Sequence, residues 1–205
     1  MQKIQPDKHD LRIYQKVGHV DAKSLDSVDQ LLLILPAKPS KSDFGKLPQG
    51  AKMQAVYRKH LAGATPAFTT RLANKKQTLV VAGTVAAAAS TFEQLTLGRK
   101  LVAAATGQKA GSLGICAVGF DAERQGELVN NVLAATLAAA FRLPAFKSKA
   151  EPATIKNIHL LGVDKMIDTA RTEAEASGNN LARWLTTLPP NFLDANNYAD
   201  LARSM

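Results

Sequence analysis

Four apolar runs stand out along the chain. Residues 29–35 read DQLLLIL and are closed by Pro36, and residues 79–85, 112–120 and 155–163 are similarly short and continuous. Runs of this length bounded by turn residues predict buried strands. A further run, 11–17, is interrupted by charges and predicts a strand at a sheet edge. Between the runs lie segments with helical spacing, at 51–61, 91–105, 122–143 and 165–188. Strands alternating with helices predict an α/β fold.

Capping and turn residues support these boundaries. Asp121 follows the third run and is placed to accept from the free amides of the helix it opens. Glu123 favours the positive end of that helix. Pro144 stops it, and residues 145–153 (AFKSKAEPA) read as a polar loop. Residues 36–50 hold three prolines and two glycines and form the best candidate for a mobile loop. In the last long segment Ile167, Ala170, Ala174, Ser177, Leu181, Trp184 and Leu188 step by three and four along one face, which predicts an amphipathic helix. At about 1.5 Å per residue it would reach roughly 36 Å, further than a domain of this size needs for its own core. Gly178, Asn179 and Asn180 are its weak spot, and Pro189-Pro190 ends it. A new helical pattern then starts at 194 and stops with the chain. This reads as a chain cut short, with Phe192, Leu193 and Leu201 expected to lack their usual partner.

Composition narrows the class. The 205 residues are 46% hydrophobic and 21% charged, which fits one domain able to bury a sizeable core. The uncharged stretches 77–91 and 128–141 carry alanine, threonine or asparagine and predict no membrane span. The first twenty residues contain no apolar h-region, so a cytoplasmic location is expected. The single cysteine, Cys116, excludes an internal disulfide and a cysteine-cluster metal site. Of the net charge of +9, residues 1–76 carry most, with 14 Lys and Arg against six Asp. That half predicts solubility or a phosphate-binding surface, although no nucleic-acid motif accompanies it.

Chemistry-bearing motifs are missing. Neither G-x-G-x-x-G, nor the P-loop, nor G-x-S-x-G, nor H-E-x-x-H occurs. Gly107, Gly111 and Gly114 precede a strand and predict a turn. Asp164 and Asp168 predict caps of the helix starting at 165. His159, inside an apolar run, predicts a satisfied core histidine. Cys116 lacks a basic neighbour in sequence and predicts a buried apolar residue. Trp184 predicts packing. No catalytic residue, metal ligand or cofactor-binding residue is assigned.

Residues 181–198, LARWLTTLPPNFLDANNY, resemble the A-R-x-L-x-x-x-P-P-N-x-L-x-x-x-x-Y segment that leads into the catalytic domain of the leucyl aminopeptidase (cytosol aminopeptidase) family. Ala182, Arg183, Leu185, Pro189, Pro190, Asn191, Leu193 and Tyr198 match it. Residues 141–149, FRLPAFKSK, resemble the family's aromatic-x-x-x-x-aromatic-Lys-Ser stretch. Leu188 departs from the Asn of many members, and Asp194 from the frequent Thr-Pro. The resemblance implies a three-layer αβα, macro-domain-like N-terminal domain with a mixed central sheet at 1–164, a long connecting helix at 165–190, and the start of a truncated catalytic domain at 191–205. It also implies that two divalent metals, Zn or Mn, are held by that missing domain. There they polarise the scissile carbonyl and activate water.

The family's metal-binding motifs, with Asn-Thr-Asp-Ala-Glu-Gly-Arg or Gly-Lys-Gly-x-x-x-Asp, are absent. The chain is therefore expected to be an inactive assembly or regulatory module. Its implied partners are its own catalytic domain and the sister subunits of a homohexamer. The alternative expectation is nucleic-acid binding through the basic N-terminal half.

Overall fold

A computed structural model describes residues 11–60, 67–107, 111–143, 155–191 and 193–204. Six strands form one sheet in the order β1-β6-β5-β2-β4-β3. These are β1 (Arg12–Val17), β2 (Gln30–Pro36), β3 (Phe68–Arg71), β4 (Leu79–Val85), β5 (Ser112–Ala117) and β6 (Asn157–Val163). All neighbours pair in parallel except β3, which runs antiparallel to β4. The sheet is therefore mixed, and the charge-interrupted run 11–17 does lie at its edge.

Alternation along the strands sorts the core into two clusters, because successive side chains point to opposite faces. Leu32, Ile34, Val81, Ile115 and Leu160 face one side. There they meet helices α4 (Thr91–Thr106) and α5 (Ala122–Ala140). Leu31, Leu33, Leu35, Val80 and Cys116 face the other side. Helices α1 (Ala22–Asp26), α2 (Lys41–Gly45) and α3 (Gly50–Lys59) cover much of that face. The result is three layers, helices–sheet–helices. A further helix, α6 (Ala170–Thr187), lies on the outside of α5, and α7 (Ala195–Ser204) follows it.

Helices α2, α4 and α5 begin on the caps their sequences provide. Asp121 accepts from the Arg124 amide at 2.8 Å, as expected. Ser90 with Glu93 and Ser40 with Asp43 form reciprocal capping boxes. The second of these overturns the mobile-loop expectation for 36–50. Its box starts α2, and Phe44 and Leu47 are buried against the sheet, 1% and 5% exposed. Gly50 is required there, since a Cβ would sit 1.8 Å from the Phe44 carbonyl oxygen.

Several boundaries also move. β5 ends at Ala117, three residues early, because Gly119 turns the chain with φ +86° toward the Asp121 cap. α5 ends at Ala140 rather than 143, with Phe141 already extended. Pro144, the 145–153 loop, Leu61, Phe192 and His9 lie outside the described residues. α6 begins at Ala170 and not at 165. The Gln15 amide explains this, since it donates to the Ile167 carbonyl at 2.8 Å and accepts from the Ile167 N–H at 2.9 Å. Ile167 thus spends its backbone groups on the β1 edge and is held out of the helix. Gly178, Asn179 and Asn180 leave α6 unbroken.

Candidate functional site

In open α/β sheets the usual ligand site is the crevice at the strands' carboxyl ends, where neighbouring connections leave in opposite directions. β2 and β5 form that point here, and the protein's own groups narrow it. At Gly119 a Cβ would meet the Asp43 carboxylate at 2.9 Å and Pro36 at 3.0 Å. Beside it, buried Gln125 on α5 ties two strand ends together. Its amide donates to the carbonyls of Ala117 at 2.8 Å and Gly162 at 3.0 Å, and accepts from the Asp164 N–H at 2.8 Å. A pocket of about 180 Å³ remains, lined by residues including His19, Lys46 and Gln125. Asp164 therefore belongs to this strand-end lock and caps no helix. Asp168 stands one residue before the N-cap Thr169 of α6, which makes no side-chain cap bond, and accepts from the Ala170 N–H at 3.0 Å.

The carboxylates are largely invested locally. Asp21, Asp43, Glu93, Asp121, Asp168 and Asp194 all accept hydrogen bonds at helix starts. Asp29 is held by the Ser112 and Gly111 amides, the Ser112 hydroxyl and Lys76, the last at 2.9 Å. Burial alone would raise its pKa. The hydrogen bonds from Lys76 and Ser112 outweigh burial and hold the carboxyl below its ordinary range. Among the described residues no three His, Cys, Asp or Glu side chains converge on a metal-sized site. The described residues therefore offer no donor set for a pair of divalent metals. Cys116 is fully buried, and desolvation pushes its thiol up to about 12.

His159 corrects an expectation. It is half-buried on the open part of the sheet face and stacks on the exposed Tyr14 ring, with centroids 5.0 Å apart. Burial first, and then the charge of Lys76, lower its pKa. Around this stack lie Lys16, Lys23 and Gln15, in a depression of about 270 Å³. Lys16 is already paired with Asp21 at 2.8 Å, so the basic N-terminal half is partly neutralised here.

The residues matched at 182–198 follow one another along the end of α6, the turn after it and α7; they do not converge on a cavity as a set. Ala182 and Arg183 line an open groove of about 950 Å³ between α4 and α6, floored by Ala135, Ala138 and Ala139 of α5. Arg183 reaches 45 residues back to donate to the Ala138 carbonyl at 2.9 Å, and also donates to Asn180. Leu185, Pro189 and Leu193 are half-buried, while Pro190, Asn191 and Tyr198 are exposed. Leu201 is 6% exposed and so is not left without cover. Trp184 is half-buried, edge-on to Phe141 at 6.4 Å.

The inward face of α6 is not the expected stripe, since Ala170, Ala174 and Ser177 are exposed. Thr172, Ala176, Asn180 and Trp184 are the more buried positions. Thr172 bonds to Asn130 of α5.

No family model matches the sequence, and no curated protein matches it. Solved structures do. A mutant of tomato leucine aminopeptidase superposes with a TM-score of 0.69 at 18% identity, covering 98% of this chain and 43% of that one. The bottromycin maturation enzyme BotP, in complex with Mn, superposes with a TM-score of 0.57 at 15% identity, covering 86% of this chain and 35% of that one. This chain thus spans less than half the length of either enzyme. The likeness establishes the fold, which agrees with the α/β unit implied by the resemblance at residues 181–198: an architecture shared with part of a leucine aminopeptidase.

Proposed function

We propose that this chain is the non-catalytic, assembly or regulatory domain of a leucyl aminopeptidase-like metallopeptidase, one that removes N-terminal amino acids from peptides through two divalent metals held elsewhere. The observation carrying the reading is the coverage. Nearly all of this chain superposes on less than half of the tomato enzyme, and the sequence that resembles the lead into the catalytic domain stands at its C-terminal end. The locally satisfied carboxylates support it, since a hydrolytic centre needs convergent groups with capacity to spare. On this reading the partners are a catalytic domain and sister subunits of a homohexamer, in the cytoplasm. The test is turnover of leucine p-nitroanilide by the purified chain with Mn or Zn. No turnover above the blank is expected. Metal-dependent turnover abolished by a chelator would overturn the proposal.

A second reading is favoured by one surface. Arg12, Tyr14 and Lys16 alternate along the exposed side of edge strand β1, with Tyr14 stacked on His159. Stacked rings flanked by cations suit the bases of a single-stranded nucleic acid. Anisotropy titration of a labelled oligonucleotide decides it: binding weakened by salt supports the reading, and no binding at low salt removes it.

A further inference from the structure

The strand-end pocket carries opposite charges that satisfy nothing inside the chain. His19, Lys46 and Asp164 are the polar side chains on its wall besides Gln125. Gln125 is spent on strand-end backbone groups, whereas the other three make no side-chain hydrogen bond or ion pair among the described residues. Asp164 is thereby set apart, because among the described residues only its carboxylate and that of Glu123 are left unengaged. Asp164 follows β6, on one side of β5, and Lys46 follows α2, in the connection that leaves β2 on the other side. The rest of the wall is glycine or apolar, including Val20, Val118 and Phe120.

We infer that this pocket binds a free aliphatic α-amino acid, its ammonium on Asp164, its carboxylate on Lys46 and its side chain against Val20, Val118 and Phe120. Size sets the first limit. At about 180 Å³ the pocket is smaller than the roughly 300–1,000 Å³ of sites for drug-sized ligands, so it is too small for a dinucleotide and suits a single amino acid. Charge sets the second. A phosphate would gain Lys46 but face Asp164, and also Asp43, whose carboxylate stands 2.9 Å from where a Gly119 Cβ would be. A simple amine would gain Asp164 but face Lys46. A zwitterion satisfies both at once, through charge-assisted hydrogen bonds at its two ends. The backbone N–H groups of Gly119 and Phe120, residues that also line the pocket, have no acceptor among the described residues and suit the second carboxylate oxygen. The site stands on this pocket alone, so a failure to bind leaves the peptidase reading standing, and turnover by the purified chain would overturn that reading without bearing on the site.

Isothermal titration calorimetry of leucine into the 205-residue chain tests it. One site per chain is expected, with a Kd in the millimolar range or tighter. Leucinamide, which lacks the carboxylate, and 4-methylpentanoate, which lacks the ammonium, are each expected to bind at least about tenfold more weakly. Lys46→Met and Asp164→Asn change exposed side chains, so both variants are expected to fold, which circular dichroism checks, and to weaken leucine by a similar factor. In heteronuclear NMR spectra leucine is expected to shift the amide resonances of Gly18, Gly119 and Gly162. No saturable heat at millimolar leucine overturns the inference. So does leucine binding unchanged in either folded variant, an analogue that binds as well as leucine, or inorganic phosphate that binds more tightly.

Discussion

Replacing Gln125 with leucine removes the lock at the strand ends while keeping side-chain volume. Gln125 is 5% exposed and makes three hydrogen bonds, to Ala117, Gly162 and Asp164, which belong to β5, β6 and the turn after β6. Each such bond contributes about 0.5–1.5 kcal/mol net, and an abandoned buried partner costs somewhat more. The Asp164 amide is near solvent and can be rehydrated, whereas the Ala117 carbonyl is enclosed, so the expected loss is about 2–3 kcal/mol. With a urea m-value of roughly 2 kcal/mol/M for a domain of this size, the midpoint falls by about 1–1.5 M. Gln125→Ala adds a cavity and is expected to lose more. Urea titrations followed by Trp184 fluorescence and by circular dichroism measure both. A Gln125→Leu loss below about 0.5 kcal/mol, beside a large Gln125→Ala loss, would refute the reasoning, because it would make Gln125 a space-filler.

Other perturbations probe other parts of the fold. At Gly98 a Cβ would lie 3.1 Å from the Ala135 Cβ and 3.3 Å from the Val132 Cα. Gly98→Val should therefore force α4 off α5 and cost about 2–3 kcal/mol, and a neutral result in thermal melts would contradict that contact. Asp29 has a lowered pKa, so its stabilisation is complete above the ordinary carboxylate value of about 4 and is lost as pH falls through the folded value. The stability gap between wild type and Asp29→Asn should narrow below about pH 4; parallel pH curves would count against the ion pair. Cys116 is 0% exposed, so a thiol reagent should modify it only through opening of the fold. Rapid labelling in the absence of denaturant would contradict its placement.

The strands legible in the sequence are those whose environment is uniform. β2, β4 and β5 are apolar on both faces because both faces are covered, so continuity alone marks them, whereas β6 is only partly covered on its His159 side and is marked by Leu160, Leu161 and Val163. β3 escaped because four residues, FTTR, at an antiparallel edge carry little apolar signal. α1 and α2 are single turns, too short for periodicity. α2 nonetheless has a local signal, the spacing of Ser40 and Asp43 that forms its capping box.

The stripe on α6 was misread because alanine and serine count as compatible with either face. The helix instead turns Thr172 and Asn180 to its inward side, and its polar contacts with α5 are made by Thr172 and Arg183, residues that periodicity assigns to solvent. Gln125 had a readable signal, a polar residue in register with Leu128, Val129 and Val132 on an otherwise apolar face. Its partners are strand-end backbone groups that no local pattern identifies. His159 misled because its neighbours are buried while its own side faces the part of the sheet left open beyond α1.

The seat of β1 also has a consequence for the order of events during synthesis. Arg12 pairs with Asn157, so the first strand has no ladder until β6, far along the chain, has emerged. At about 5–20 residues per second it waits on the order of 10–30 s, while β2, β4 and β5 already have neighbours to join. An unpaired strand in that interval is an invitation to other nascent chains, and Arg12 and Lys16 make it a poor one. Its late arrival, completed when the Gln15 amide closes on Ile167, makes the docking of β1 the step that registers the body of the sheet as finished just as α6 begins.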